Sequence, residues 1–93
     1  MRTNKEIELI KLGYTEYTLN MFYKSIGNNL YIYIYKNSET NYEYIGEIVN
    51  YNPFTFTNQR CSFKNINDLN DLMQYYHQMI LDLATIRGIK NDK

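Results

Sequence analysis

The strictest pattern in this chain is an alternation of aliphatic and tyrosine side chains over residues 30–36, which read LYIYIYK. Successive side chains of a β-strand point to opposite faces, so a period of two predicts a strand here. The two faces are unlike, because one holds Leu30, Ile32 and Ile34 and the other holds Tyr31, Tyr33 and Tyr35. The aliphatic face needs a second layer packed against it, and this requirement restricts the architectures open to the chain.

Three further segments are predicted as strands of the same sheet: residues 14–24, 42–51 and 54–63. Residues 14–24 repeat with a period of two, and the other two segments are rich in β-branched and aromatic residues. In the last segment, Phe54 and Phe56 are expected to face away from the threonines between and after them. Turn residues separate the segments, with Gly-Asn-Asn at 27–29 and Asn-Pro at 52–53. Gly46 indicates a β-bulge or a close backbone approach.

Both ends of the chain are predicted to be helical. In residues 4–12, Asn4 can cap the helix, Glu6 lies in the first turn where the helix dipole favours anions, and Gly13 is suited to end it. Residues 67–87 form the stronger helix, because apolar side chains recur there at three- and four-residue spacing. These are Leu69, Leu72, Met73, Tyr76, Ile80 and Leu83.

The predicted element order is therefore α-β-β-β-β-α, in one domain that covers residues 1–93. The connections between strands are too short for parallel crossovers, so the sheet should be an antiparallel meander of four strands. This makes the fold α+β, with both helices free to cover the aliphatic face of residues 30–36.

Charge, cysteine content and hydropathy restrict the kind of partner and the cellular compartment to be expected for this chain. Ten basic and ten acidic residues give no formal net charge, which disfavours a protein that binds nucleic acid mainly by neutralising phosphates. Cys61 is the single cysteine, so an internal disulfide is excluded and a reducing compartment fits. No apolar run approaches the roughly 18 residues of a membrane span, and residues 1–12 lack the apolar stretch of a signal peptide. We expect a cytoplasmic protein that does not contact membranes.

Tyrosine is the residue type that most suggests a function, with 11 in 93 residues. If the helices cover the aliphatic face, the opposite face presents tyrosines to a partner. The predicted contact residues are Tyr31, Tyr33, Tyr35, Tyr42 and Tyr44. Tyr17 and Tyr23 join them only in some registers, because a slip of one residue moves every side chain of a strand to the other face.

Several interpretations of this tyrosine face are open. Tyrosine is a strong strand former, and cross-strand contacts alone could account for it. Tyrosine is also enriched at protein interfaces, where it offers a large rigid area, so another protein is the expected partner. A platform that stacks the bases of single-stranded nucleic acid is the alternative. A homodimer that buries the same rings across a two-fold axis is a further variant.

Residues with reactive side chains are few. His77 is the single histidine and lies at the edge of the apolar stripe of the last helix, where a structural role is usual. Cys61 alternates with Arg60 in a predicted strand, with no neighbour that would activate a thiolate. One cysteine and one histidine do not make a structural zinc site, and no glycine-rich phosphate loop exists. We expect no catalytic residues, no metal and no cofactor, and therefore not an enzyme.

In general character the whole chain resembles the small accessory proteins carried by phages and mobile elements of low-G/C bacteria. Tyrosine, asparagine, isoleucine and lysine, which have A/T-rich codons, supply 42 of the 93 residues. Anti-CRISPR proteins and other inhibitors of host defence belong to that group. The resemblance has no motif and assigns no residue. It implies that the partner is a host or phage protein. This protein would block a host nuclease or effector by occluding its surface, with its own acidic side chains in place of phosphates.

Overall fold

Two helices and five antiparallel strands make up the part of the chain that the computed structural model describes, which is residues 2–18, 20–27, 29–36, 44–60 and 69–89. The elements are α1 (Asn4–Lys11), β1 (Thr15–Thr18), β2 (Met21–Gly27), β3 (Leu30–Lys36), β4 (Tyr44–Asn52), β5 (Thr57–Arg60) and α2 (Leu69–Arg87). The strands follow one another in the sheet in chain order, and each neighbouring pair is antiparallel. The α+β fold with an antiparallel meander is confirmed.

The segment predicted as one strand over residues 14–24 is two strands, β1 and β2. Asn20 adopts a left-handed backbone with a φ of 66°, and the chain reverses there so that Thr18 pairs with Met21. Both arms of a hairpin alternate with a period of two, so periodicity did not reveal the reversal. Asparagine is one of the few residues that tolerate this conformation, and Asn20 was the available signal.

Helix α1 begins at Asn4, as predicted, and ends at Lys11, but its N-cap is Thr3 and not Asn4. The Thr3 hydroxyl oxygen accepts a hydrogen bond from the Glu6 backbone N–H at 3.2 Å, and the Glu6 carboxylate accepts one from the Thr3 N–H at 3.0 Å. This reciprocal pair is a capping box. At the other end, Gly13 has a φ of 100°, as expected of the residue that ends a helix.

The aliphatic face of β3 is the covered face, as predicted. Ile32 and Ile34 are fully buried, and the register places them opposite Ile48 and Gly46 of β4. Phe22 of β2 is opposite Ile34 and is also fully buried. Both helices supply the second layer, with the side chains of Leu9, Leu72, Met79, Leu83 and Ile86. The core therefore lies between one face of the sheet and the two helices.

Gly46 marks the closest approach of α2 to the sheet. A Cβ atom at this position would lie 2.9 Å from the Met79 sulfur and 3.2 Å from Cδ1 of Leu83. A β-bulge is excluded, since the register across β3 and β4 is continuous there, and the close approach is made by side chains of α2 and not by another backbone.

The apolar stripe of α2 differs from the predicted one: Met73 and Ile80 are exposed, and the buried Met79 and Ile86 were not predicted. Leu72, Met79 and Ile86 repeat every seven residues and face the core, whereas Met73 and Ile80 are 60% and 57% exposed. Adjacent helical residues are about 100° apart, so the side chain after each heptad position turns towards solvent. The prediction that Met73 and Ile80 are buried was wrong because spacing alone admits two overlapping stripes.

Candidate binding surface

The face of the sheet opposite the helices carries a cleft of about 280 Å³. Its described lining residues are Tyr17, Tyr23, Tyr31, Tyr33, Tyr51 and Asn58, which we call the tyrosine cleft. They come from β1, β2, β3, β4 and β5, so every described strand contributes at least one side chain. Tyr17 lies on β1 and Asn58 on β5, the two edge strands of the sheet. For both to line one cleft, side chains from the two edges must converge over the middle strand, β3.

Tyr23 lies at the centre of this group of rings. Its ring centroid is 6.2 Å from that of Tyr17, 6.0 Å from that of Tyr31 and 6.3 Å from that of Tyr33. The first two pairs meet edge to face at 80° and 73°, an arrangement that the charge distribution of aromatic rings favours. The rings hold one another in place, and a ligand would meet a cleft whose side chains are already ordered.

The hydroxyl of Tyr33, on the cleft face of β3, has a raised pKa. Burial raises the pKa of its hydroxyl, and the nearby Tyr17 hydroxyl raises it further. A hydrogen bond with the Asn58 side chain acts in the opposite direction and lowers the pKa. The net shift is upward, so Tyr33 stays protonated and can donate a hydrogen bond to a ligand at any physiological pH.

Part of this face is packed for stability. Val49 is opposite Tyr31 in the register, on the face away from the helices, yet it is only 5% exposed. It does not belong to the core cluster between the sheet and the helices, so this face also buries apolar area. Tyr17, at 66% exposed, shows that the cleft stays open to solvent.

The structure separates the five predicted contact residues. Tyr31 and Tyr33 line the cleft, and Tyr35 is half-buried on the same strand face but is not among the described lining residues. Tyr42 lies outside the described residues. The prediction for Tyr44 was wrong: it is 3% exposed and belongs to the core. Its register position, two residues before Gly46, places it on the helix side, where Arg87 of α2 donates a hydrogen bond to its carbonyl at 3.2 Å.

Tyr51 and Asn58 were missed from the sequence. Tyr51 shares its face with Val49 because both are odd-numbered residues of β4, so alternation along that strand was the available signal. Asn58 could be found only through the register of β5, which pairs it with Tyr51. Tyr17 and Tyr23, whose membership depended on register, both belong to the cleft. Of the two reactive residues, His77 is exposed on α2, and Cys61 lies outside the described residues.

The described lining of the cleft carries no formal charge. Glu47, which is half-buried and opposite Tyr33 in the register, is the nearest charged neighbour along the strands whose side chains are described. Lys24 is on the helix side of β2, where it pairs with Asp82 at 3.1 Å. The cleft thus offers aromatic area and hydroxyl groups, and among its described residues it offers no cation for a phosphate.

Beside the cleft, the turn between β4 and β5 exposes two phenylalanines, and we call residues 53–56 the hairpin tip. Phe54 and Phe56 are 92% and 80% exposed. The prediction that both lie in a strand over residues 54–63 was wrong, because β5 begins at Thr57. The Asn52 side-chain oxygen accepts hydrogen bonds from the backbone N–H groups of Phe54 and Thr55 at 2.9 and 3.4 Å, and this closes the turn.

A second polar cluster, on the helix side, is structural in its geometry. Asp82 of α2 is 2% exposed, and one carboxylate oxygen accepts hydrogen bonds from the Tyr14 hydroxyl at 2.7 Å and the Lys24 amine at 3.1 Å. The other oxygen accepts one from the Gln78 amide at 3.0 Å. Each carboxylate oxygen has a donor, and the cluster joins α2 to Lys24 of β2 and to Tyr14, the residue before β1.

Comparison with protein-family models, with curated proteins and with solved structures finds no match to this chain. Within the described residues, no helix is long and apolar enough to span a membrane. The geometry of the tyrosine cleft and the hairpin tip is therefore the basis for assigning a function.

Proposed function

We propose that this protein acts by protein–protein contact and binds an extended, uncharged segment of a partner protein in the tyrosine cleft. One observation carries the proposal: six uncharged side chains from five strands line one open cleft, with their rings braced edge to face. Nothing in the cleft's described lining resembles a catalytic set, and the proposed activity is non-enzymatic binding.

Tyrosine suits this role for physical reasons. It has two side-chain torsions, so holding it in place costs little conformational entropy, and its ring offers a large area with a polar tip. In this cleft the contacts among Tyr17, Tyr23, Tyr31 and Tyr33 restrict those torsions before any ligand arrives. A preorganised surface keeps more of its interaction energy as affinity, because less is spent on ordering.

Single-stranded nucleic acid is a weaker candidate for the same cleft. Proteins that stack bases on aromatic rings normally combine them with cations along the phosphate backbone. The described lining has no lysine or arginine. Aromatic area without cations in that lining favours a protein segment.

The resemblance to phage accessory proteins adds a class of target to the proposal. We place the partner among host-defence effectors such as CRISPR–Cas nucleases, whose surface this protein would cover as a stoichiometric inhibitor. The uncharged lining supports inhibition by occlusion, since mimicry of phosphates needs several acidic side chains on the contact surface.

The proposal is tested first with a defined probe, a phage-displayed library of random dodecapeptides selected on the immobilised protein. Selected peptides should bind with affinities that fall at least about tenfold in a Tyr23→Thr/Tyr33→Thr variant, because both rings line the cleft. Tyr35→Thr is the matched control, since Tyr35 has the same strand and face as Tyr33 but is outside the described lining. Equal binding by all three proteins, measured by calorimetry, would refute the cleft as the site.

The target class is tested in cells. Expression of the protein in bacteria whose CRISPR–Cas system targets a phage should restore plaque formation, and the Tyr23→Thr/Tyr33→Thr variant should lose this effect while Tyr35→Thr keeps it. Failure of the wild-type protein against a panel of CRISPR–Cas types would remove this target class, and it would leave the peptide-binding result unchanged.

A further inference from the structure

The hairpin tip carries the two most exposed large hydrophobic side chains among the described residues, and its backbone is strained. Phe56 adopts a φ of 56°, in the left-handed region that side chains other than glycine and asparagine rarely enter. Neither Phe54 nor Phe56 is covered by the chain's own described residues, since they are 92% and 80% exposed. Strain of this kind persists where the surrounding structure enforces it, and it often marks a functional position.

The hairpin tip and the tyrosine cleft adjoin each other through Tyr51. Tyr51 lines the cleft, and it also lines a second hollow with Pro53 and Phe54 of the tip. A two-fold axis that crosses the strands near Tyr51 would place the tip of each copy over the cleft of the other. Two-fold contacts of this kind are self-complementary, because each copy offers the same pair of surfaces.

The two surfaces also match in size and charge. A cavity of about 150 Å³ holds one benzene ring, and the cleft measures about 280 Å³, close to the volume that two phenyl rings need. No charged residue occurs in the sequence between Glu47 and Arg60, and the described cleft lining is uncharged too. The whole chain has no formal net charge, so two copies approach without net repulsion.

We infer that the cleft is occupied by a second copy of this chain, with Phe54 and Phe56 of each protomer inserted into the tyrosine cleft of the other. Each such contact buries two phenylalanine side chains that the strained tip leaves exposed in the monomer. The inference rests on the proposed function in taking the tyrosine cleft as the receiving site. It adds a regulation: self-association keeps the cleft covered until a partner segment displaces the tip.

Self-association is measured by sedimentation equilibrium over about 5 to 500 µM protein, a range that brackets ordinary weak dimers. The wild-type mass should rise from 11.2 kDa towards twice that value as concentration increases. A Phe54→Asn/Phe56→Asn variant should dimerise at least about tenfold more weakly. Its fold should be retained, because asparagine tolerates the left-handed φ at residue 56. Ile80→Asn is the matched control, since it removes a side chain that is 57% exposed on α2.

Mixing two variants gives the decisive result. Phe54→Asn/Phe56→Asn keeps the cleft and loses the tip, whereas Tyr23→Thr/Tyr33→Thr keeps the tip and loses the cleft. Each alone should be monomeric, and an equimolar mixture should form a heterodimer, because the tip of one fits the cleft of the other. If circular dichroism shows that the tyrosine variant is unfolded, a disulfide test replaces the mixing experiment. A Phe54→Cys protein and a Tyr17→Cys protein, each in a Cys61→Ser background, should then form a disulfide with each other.

A wild-type protein that stays monomeric over the whole range, or a mixture that forms no heterodimer, would overturn the inference. Peptide binding in the cleft by a monomeric protein would then show that the proposed function stands without it. Dimerisation through the tip with no selectable peptide would show the reverse, that the cleft serves the second copy alone.

Discussion

Asp82 shows what one buried charge requires of its neighbours. Its carboxylate is 2% exposed and receives hydrogen bonds from Tyr14, Lys24 and Gln78, which come from three different parts of the chain. The Lys24 amine also donates to the Leu12 carbonyl at 3.1 Å and lies 4.6 Å from the centre of the Tyr14 ring. A buried ion pair need not add net stability, but removal of one partner leaves a charge without compensation.

Removal of the lysine should therefore cost more than removal of the pair. We expect Lys24→Met to lower the free energy of unfolding by about 2–4 kcal/mol, because the Asp82 carboxylate keeps its charge and loses its cation. The double variant Lys24→Met/Asp82→Asn should be less destabilised, since asparagine carries no charge. Urea unfolding measures both, with exposed Lys11→Met as the control; a double variant less stable than Lys24→Met would contradict this account.

Tyr14 makes stability depend on alkaline pH. Burial raises the pKa of its hydroxyl, and the hydrogen bond to Asp82 and that residue's charge raise it further. In the unfolded chain tyrosine titrates near its ordinary pKa of about 10. Above that pH the unfolded state releases a proton that the folded state retains, so the stability present in full below pH 10 falls as pH rises. Urea unfolding from about pH 9 to 11.5 gives the free energy of unfolding as a function of pH. Its decrease with pH should be less steep in Tyr14→Phe than in the wild type, by up to about 1.4 kcal/mol per pH unit. Equal decreases in the two proteins would show that Tyr14 is not the cause.

At the scale of elements, alternation predicted β3 and its two faces correctly, and the same kind of pattern concealed the β1–β2 hairpin. Residues 14–24 keep a period of two through the reversal at Asn20, so local pattern could not distinguish one strand from two. Likewise the spacing of apolar residues in α2 did not show which of two adjacent stripes faces the sheet. Contacts between elements decided both the β1–β2 hairpin and the stripe of α2 that is buried. One such contact is the close approach of α2 to the sheet at Gly46.

That approach yields a prediction for β4 and α2. Gly46→Ala should lower the free energy of unfolding by about 1–3 kcal/mol, because its Cβ would lie 2.9 Å from the Met79 sulfur. Met79→Ala in the same chain should make room, so the cost of the double variant should be smaller than the sum of the two single costs. Thermal or urea unfolding of the four proteins gives the coupling; strict additivity would show that the methionine already moves aside freely.

At the scale of the molecule, the fold divides two tasks between the faces of one sheet. The helix side holds the core and the Asp82 cluster, and the opposite side holds the tyrosine cleft, with the hairpin tip at its edge. In the proposed function, the partner binds on the cleft side and the core lies on the other. Because the described lining of the cleft has no charged residue, its contacts with a ligand are apolar contacts and hydrogen bonds rather than ion pairs.

This has a measurable consequence for ligand binding. The affinity of a cleft-selected uncharged peptide should change by less than about twofold between about 50 and 500 mM salt, because no ion pair is screened and no counterion is released. Isothermal titration at several salt concentrations checks this, with single-stranded oligonucleotides as a second ligand. Affinity for an oligonucleotide that exceeds peptide affinity and falls steeply with salt would transfer the assignment to nucleic acid.

The sequence by itself determined the α+β class, the antiparallel strands, the ends of α1 and the separation of aliphatic from tyrosine side chains in β3. Those features follow from local periodicity and from turn and cap residues, which act over a few neighbouring positions. Register, the β1–β2 reversal and the choice of stripe on α2 were decided by the tertiary structure, because each depends on contacts between residues far apart in the chain. Tyr44 belongs to the core and Tyr51 to the cleft for this reason: a shift of one residue in pairing moves a side chain from one face of the sheet to the other.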